Sequence, residues 1–161
     1  MEQQAVSLTP DMCTQLLINA VAIPSPSSQE GALAGFLVAW AERHDYTKAY
    51  VDNAGNAVCQ MGPDDAPRTI VLLGHMDTVP GDIPVRVERG VLYGRGTVDA
   101  KGPLCAFLCA VARLGPLPET RTVVVGAVEE ESATSRGARL IRDRFLEEGV
   151  PGACIIGEPS N

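Results

Sequence analysis

Two short apolar runs rich in β-branched residues, each followed by a stretch of helical character, constrain the fold of this chain more than any other feature. Thr69 to Leu73 is the first and Thr122 to Val128 the second. Runs of that length bounded by turn residues mark strands covered on both faces. Helical stretches follow them, from about Lys101 to Leu114 and from Ser135 to Glu148, and Ala153 to Gly157 supplies a third strand. Strand, helix, strand, helix, strand predicts an α/β layered domain with a largely parallel central sheet, because parallel neighbours are joined by crossovers.

The upstream part adds two helices and a hairpin. Thr9, Pro10 and Asp11 have the form of an N-cap with proline in the first turn, opening a helix that runs to about Val21. Residues 23–26 end it. Ser27 and Glu30 have capping-box spacing for a second helix, whose Leu33, Phe36, Leu37 and Trp40 form an apolar stripe ending near Arg43. Tyr50 to Met61, with Asn53-Ala-Gly-Asn56 in its middle, predicts a hairpin, and Pro63 to Pro67 a polar loop. Gly94, Gly96 and Gly102 punctuate a loop leading into the helix at Lys101. No internal repeat is visible, so the chain is read as one continuous unit.

Acidic residues collect just after the apolar strands. His75 and Asp77 follow the first, Glu129, Glu130 and Glu131 the second, and Glu158 the third; Asp99 lies in the glycine-rich loop. In open α/β sheets the carboxyl ends of the strands line the ligand crevice, so separate segments deliver one imidazole and several carboxylates to one place. Four or more carboxylates cannot stay ionised together there without a compensating cation. One neutral imidazole with carboxylates suits zinc or a similar divalent ion, and the excess of carboxylates over one tetrahedral set suits two ions with a bridging ligand. Taken singly, His75 reads as a core histidine, Asp99 as a helix cap and Glu129 to Glu131 as a solvated charge run. Their joint placement, and the His75-x-Asp77 spacing that lets a carboxylate orient a metal-bound imidazole, favour a site.

Composition narrows the partners. The 161 residues hold 20 acidic and 13 basic side chains, a formal charge of −7, which argues against a nucleic-acid surface or an anionic membrane. With no leader-like start and no window near the roughly 18 apolar residues of a membrane span, a cytoplasmic protein is expected. Cys13, Cys59, Cys105, Cys109 and Cys154 are odd in number and scattered in apolar surroundings, the pattern of reduced, packed thiols. Cys105 and Cys109 lie one helical turn apart, but no nearby Cys or His completes a metal set.

Gly74-His75-Met76-Asp77-Thr78-Val79-Pro80, the run from Gly94 to Gly102, Glu129-Glu130-Glu131 and Gly157-Glu158-Pro159-Ser160 resemble the successive motifs of the zinc-dependent aminoacylase and carboxypeptidase family. That family includes acetylornithine deacetylase and succinyl-diaminopimelate desuccinylase. The resemblance covers nearly the whole chain in the right order. It implies a layered α/β/α catalytic domain in which His75 binds one zinc, Asp99 bridges two, Asp77 supports His75 and Glu158 is a further ligand. For the acidic run it implies Glu130 as general base and Glu131 as zinc ligand; a shift by one residue makes Glu129 the base and Glu130 the ligand. Cobalt is the alternative ion.

Within the family, residues 96–103 and 129–138 look most like the hydrolase that releases lysine, or ornithine, from a small amino-group carrier protein. Deacylation of a small N-acyl amino acid by an acetylornithine deacetylase or succinyl-diaminopimelate desuccinylase is the alternative, and the metal motifs do not separate them. The family's complete enzyme is about twice as long, with an inserted dimerisation domain and a later zinc-binding histidine. Only His44 and His75 occur here, and His44, among Glu42, Arg43 and Asp45, reads as a surface residue. The chain is therefore expected to be the front portion of a catalytic domain, inactive alone and homodimeric when complete. The contrasting expectation is a short, non-catalytic metal-binding or interaction module.

Overall fold

The computed structural model describes residues 8–159, so the leader reading of the first seven residues and Ser160 of the last motif lie outside the described residues. Helix α1 (Pro10–Ala22) starts as its sequence dictates: the Thr9 hydroxyl accepts from the Met12 amide at 3.3 Å, and Pro10 sits where no amide donor is needed. Helix α2 (Gly31–Glu42) buries Leu33, Leu37 and Trp40, with Phe36 packed at the margin of the core. The expected capping box does not form. Ser27 Oγ donates instead to Asp77 at 2.7 Å, and the Glu30 side chain makes no cap to α2. Both are drawn toward residues after the later strands, a pull that local spacing does not register.

Strands β1 (Lys48–Val51) and β2 (Ala57–Met61) form the hairpin, which starts slightly before the expected Tyr50. Its turn is held by Asp52, whose Oδ1 accepts from the amides of Ala54, Gly55 and Asn56. Strand β3 (Arg68–His75) runs two residues beyond the predicted end, so His75 is the last residue of the strand. Strands β4 (Arg86–Glu88) and β5 (Val91–Tyr93) form a small separate hairpin that the sequence reading left unassigned. Its turn places Arg89 and Gly90 both at positive φ, as a two-residue hairpin loop of the mirror-image type requires. Three-residue exposed strands carry too little hydrophobic pattern to announce themselves.

Helix α3 (Lys101–Leu114), strand β6 (Thr120–Ala127), helix α4 (Arg136–Glu148) and strand β7 (Ala153–Ile156) complete the alternation within a residue or two of expectation. The main sheet has the order β1-β2-β6-β3-β7. Its β6, β3 and β7 are mutually parallel, while β2 is antiparallel to both β1 and β6. All strands but β2 therefore point the same way, and the sheet is largely parallel as predicted.

Strand periodicity assigns the two faces. Val124 and Leu72 join Leu104, Leu108, Leu33 and Trp40 in the core under α1, α2 and α3. Val123, Val125 and Val71 pack with Ile141 and Phe145 of α4 on the opposite face. The result is an α/β/α layering in which β6 is buried along its whole length. Strand β7 is different: it is the sheet edge, with Ile155 and Ile156 about half exposed. Cys59, Cys105 and Cys109 are packed as expected, but Cys154 on that edge is exposed, a correction that follows from β7 lying at the margin. No helix among the described residues is long and apolar enough to cross a membrane.

Candidate metal centre

Parallel strands ending at the same level bring distant residues together. In β3 and β6, His75 is paired in register with Ala127, two residues before the acidic run. The backbone continues past each strand end into a loop, and these loops carry the chemistry. His75 Nε2 lies 2.9 Å from Asp99 Oδ1, 3.7 Å from Glu158 Oε2 and 3.8 Å from Glu130 Oε2. Two overlapping groups, His75 with Asp99 and Glu158, and His75 with Glu130 and Glu131, each place their donor atoms within 4.8 Å of one another. Five of the seven residues singled out from the sequence thus fall in these overlapping groups, and Asp77 lies on the other side of the imidazole, its carboxylate 3.4 Å from His75 Nδ1.

The imidazole has a defined polarity. Its Nδ1 is 2.8 Å from the carbonyl oxygen of Asp77 and 3.4 Å from that residue's carboxylate. A carbonyl oxygen only accepts, so Nδ1 carries the hydrogen and Nε2 is the atom turned to the carboxylates. Burial works against a charge on His75, but its hydrogen bonds to Asp77 and Asp99 and the nearby Glu158 outweigh it and push the imidazole up to about 9.

Asp77 is fully buried, and its carboxylate chiefly holds the main chain of the acidic run. Oδ1 accepts from the Glu130 amide and Oδ2 from the Glu131 amide, each at 2.9 Å, while Ser27 Oγ donates to Oδ2. Burial opposes the charge, but these donors and His75 together hold the Asp77 carboxyl below the usual carboxylate range. Glu131 and Glu158 are shifted the other way, by desolvation first and then by their acidic neighbours, Asp99 foremost for Glu131 and Glu130 for Glu158. The donor set is one imidazole and four carboxylates with no Lys or Arg ion pair to them among the described residues, a composition suited to a cation.

Glu129 does not join the cluster. Thr134 Oγ1 donates to its Oε2 at 2.5 Å, and the Arg136 guanidinium lies 3.7 Å from its Oε1. Its backbone is left-handed, with φ of 58°, and the next two residues, Glu130 and Glu131, are grouped with His75.

Several positioning residues escaped the sequence reading. Asn56 ties the hairpin turn to the site loop: its Oδ1 accepts from the Val128 amide, and its Nδ2 donates to Asp52 and to the Gly137 carbonyl. Gly137 must lack a side chain, since a Cβ there would stand 2.2 Å from Asn56 Oδ1. Lys101, buried beside the Asp99 loop, donates to the carbonyls of Ala20 and Ile23 at the end of α1, and burial pulls its pKa down to about 8. A buried lysine serving a helix terminus has no local sequence mark. His44 is half-buried rather than solvated, stacked on Trp40 with ring centroids 3.9 Å apart.

The cluster borders a cleft of about 350 Å³ lined in part by Thr78, Tyr93, Arg95, Asp99 and Glu131. A larger depression around Lys48, Asp64, Arg121 and Glu148 lies at the amino ends of the parallel strands. There Lys48 is paired with Asp64, and Arg121 and Arg144 with Glu148, and no group of possible metal ligands among the described residues lies in it.

Residues 71–161 match the profile of Peptidase family M20/M25/M40. The chain belongs to that family. Among curated relatives, it is 52% identical over 157 residues to the LysW-lysine hydrolase of Deinococcus radiodurans, covering 94% of this chain and 41% of that protein. It is 30% identical over 159 residues to the LysW-lysine/LysW-ornithine hydrolase of Saccharolobus islandicus, covering 99% of this chain and 43% of that protein. The chain thus spans about two-fifths of the length of these relatives. The M20 family metallo-carboxypeptidase Sso-CP2 from Sulfolobus solfataricus superposes with a TM-score of 0.74 at 21% identity, over 92% of this chain and 37% of that one. Aminopeptidase PepT from Bacillus cereus gives 0.73 at 20% identity, over 95% and 44%. These structures share the fold of this M20-family chain.

Proposed function

We propose that this M20-family chain forms the first part of the catalytic domain of a zinc-dependent amidohydrolase that releases lysine, or ornithine, from the carrier protein LysW. The observation that carries the chemistry is the convergence of His75, Asp99, Glu130, Glu131 and Glu158 at the carboxyl ends of the sheet. The 52% identity to a LysW-lysine hydrolase supports the substrate. In this reading the enzyme serves lysine and arginine biosynthesis in the cytoplasm, and the whole protein, with an inserted domain and a later catalytic portion, is a homodimer.

His75, Asp99, Glu131 and Glu158 would hold two zinc ions, with cobalt as the alternative, and Asp99 would be shared between them. The fit rests on donor chemistry: an imidazole nitrogen and repelling carboxylates, all hard or borderline donors. Zinc, when bound, supplies the positive charge that acidifies a water and polarises an amide carbonyl. Glu130, whose Oε2 lies 3.8 Å from His75 Nε2, would be the general base, accepting a proton from the attacking water and passing it to the departing amine. Its orientation comes from the main-chain amides of Glu130 and Glu131, both held by Asp77. The engagement of the Glu129 carboxylate by Thr134 and Arg136 supports Glu130 as the base over the register shifted by one.

A proton count tests the metal reading without any substrate. Because His75 holds its proton up to about 9, cation binding at about pH 7 should release roughly one proton from it. Titration calorimetry in buffers of different ionisation enthalpy measures that number; an unchanged proton count and cation affinity in His75→Ala would remove His75 from the ligand set.

The substrate is tested by incubating the full-length, zinc-loaded protein with lysine-charged LysW, N-acetylornithine and N-succinyl-diaminopimelate, and measuring the freed amine. Release of lysine from the carrier with little from the two small substrates is expected. Preference for either small substrate would transfer the assignment to the deacetylase or desuccinylase, and no hydrolysis of any would favour a non-catalytic module.

A further inference from the structure

The connection between α1 and α2, residues 23–30, lies beside the metal cluster and contributes no ligand to it. It is nevertheless laced to both strand ends that do. Ser25 Oγ donates to the Met76 carbonyl at 2.7 Å, the Thr78 amide donates to the Ser25 carbonyl at 3.0 Å, and Ser27 Oγ donates to Asp77. At its end stands Glu30, a carboxylate only 4% exposed with no cation partner among the described residues. A buried carboxylate is costly unless several donors satisfy it. Here one oxygen, Oε1, accepts from two main-chain amides, Ser28 and Glu129, both at 3.0 Å.

Those two residues share a property. Ser28 and Glu129 are both non-glycine residues at positive φ, 70° and 58°, a conformation that needs support from its surroundings. Together with Asp77, Glu30 completes a row: the successive amides of Glu129, Glu130 and Glu131 are each received by a buried carboxylate from another part of the chain. Glu129 is the residue whose turn decides where the next two side chains go.

We infer that Glu30 is a positioning residue for the metal site: its carboxylate holds the Glu129 amide in the left-handed turn and thereby aims Glu130 and Glu131 at His75. This rests on the roles proposed above for those two glutamates. The competing explanation is that Glu30 only favours the start of α2 through the helix dipole. An acid serving that purpose would receive amides of the first helical turn. Glu30 instead receives one amide before the helix and one from a loop 99 residues away.

The test compares Glu30→Met, which keeps the volume and removes the acceptor, with Glu30→Gln, which keeps a carbonyl oxygen for both amides. Displacing a catalytic group by about 1 Å costs on the order of 100-fold, so in the full-length, zinc-loaded protein Glu30→Met should lower kcat by roughly that factor with KM nearly unchanged. Glu30→Gln should recover most of the loss. Amide exchange at Glu129 supplies a readout independent of turnover: faster in Glu30→Met, near the wild-type rate in Glu30→Gln. A helix-start role would instead lower the melting temperature of both variants and leave kcat and Glu129 exchange unmoved, which overturns the inference. Should Glu30→Met fail to fold, Glu30→Gln still decides: a large loss of kcat with Glu129 exchange at the wild-type rate would overturn the inference, because turnover would then not depend on how the Glu129 amide is held. If the wild type hydrolyses none of the substrates, the functional reading falls, and the Glu129 exchange rates still decide the role of Glu30.

Discussion

With Glu130 as the proposed general base, Glu130→Gln in the full-length protein is expected to lower kcat by about 1,000-fold while its bound metal is retained, because general-base removal at an otherwise intact site costs two to four orders of magnitude. The carboxamide has nearly the shape of the carboxylate, and the Glu130 amide stays bonded to Asp77. What is lost is the capacity to take a proton. Metal analysis and steady-state kinetics on the same preparation separate this from Glu131→Gln, whose main effect should be weaker zinc binding. Glu129→Gln is the control for register. Its carboxylate is occupied by Thr134 and Arg136, so most activity should remain. Near-normal turnover in Glu130→Gln together with collapse in Glu129→Gln would shift the roles by one residue.

Asp77→Ala should produce the largest loss of stability among the site residues. The substitution removes the buried acceptor of three part-buried donors, the amides of Glu130 and Glu131 and the Ser27 hydroxyl. Leaving a buried donor unsatisfied costs about 1–3 kcal/mol, and water can reach these part-buried ones, so a total of about 2 kcal/mol is expected, seen as a lower denaturant midpoint. Asp77→Asn, which retains one carbonyl oxygen, should fall between. Acid titration gives a second signature. The native Asp77 carboxyl is held below its usual range, so its contribution is fully present above the unfolded-state value and is lost as pH falls through the lower native one. Asp77→Ala should therefore flatten the acid limb of the stability profile. An unchanged limb would mean that other carboxylates govern acid unfolding.

What could be read in advance followed the range of each signal. Hydrophobic period and crossover logic are local, and they placed β3, β6, α3 and α4 within a residue or two. The rule that strand ends line the crevice placed His75, Glu130, Glu131 and Glu158 together, with Asp99 joining from the glycine-rich loop, but it also placed Glu129 there, which does not join. The failures were long-range. Ser27 and Glu30 fit a local capping box, yet partners 50 and 99 residues away won both side chains. A buried acceptor offered by tertiary structure outcompetes a solvated helix amide. The β4–β5 hairpin failed for the opposite reason, having too few residues to show a period. Asn56 and Lys101 do their work on backbone atoms of distant segments, where neither spacing nor residue type gives notice.

Strand β7 joins the sheet along β3 alone and leaves its other flank exposed, yet Glu158, two residues beyond it, reaches to within 3.7 Å of His75. A strand with a single sheet partner among the described residues thus delivers one of the donors, and in this chain local opening should reach it before β6. A cation gripped by both His75 and Glu158 would act as a clasp between β7 and the interior, because the strand could not peel away without surrendering a ligand. Metal exchange and the fraying of this edge would then be one event, and the ion's residence time would serve as a clock for it.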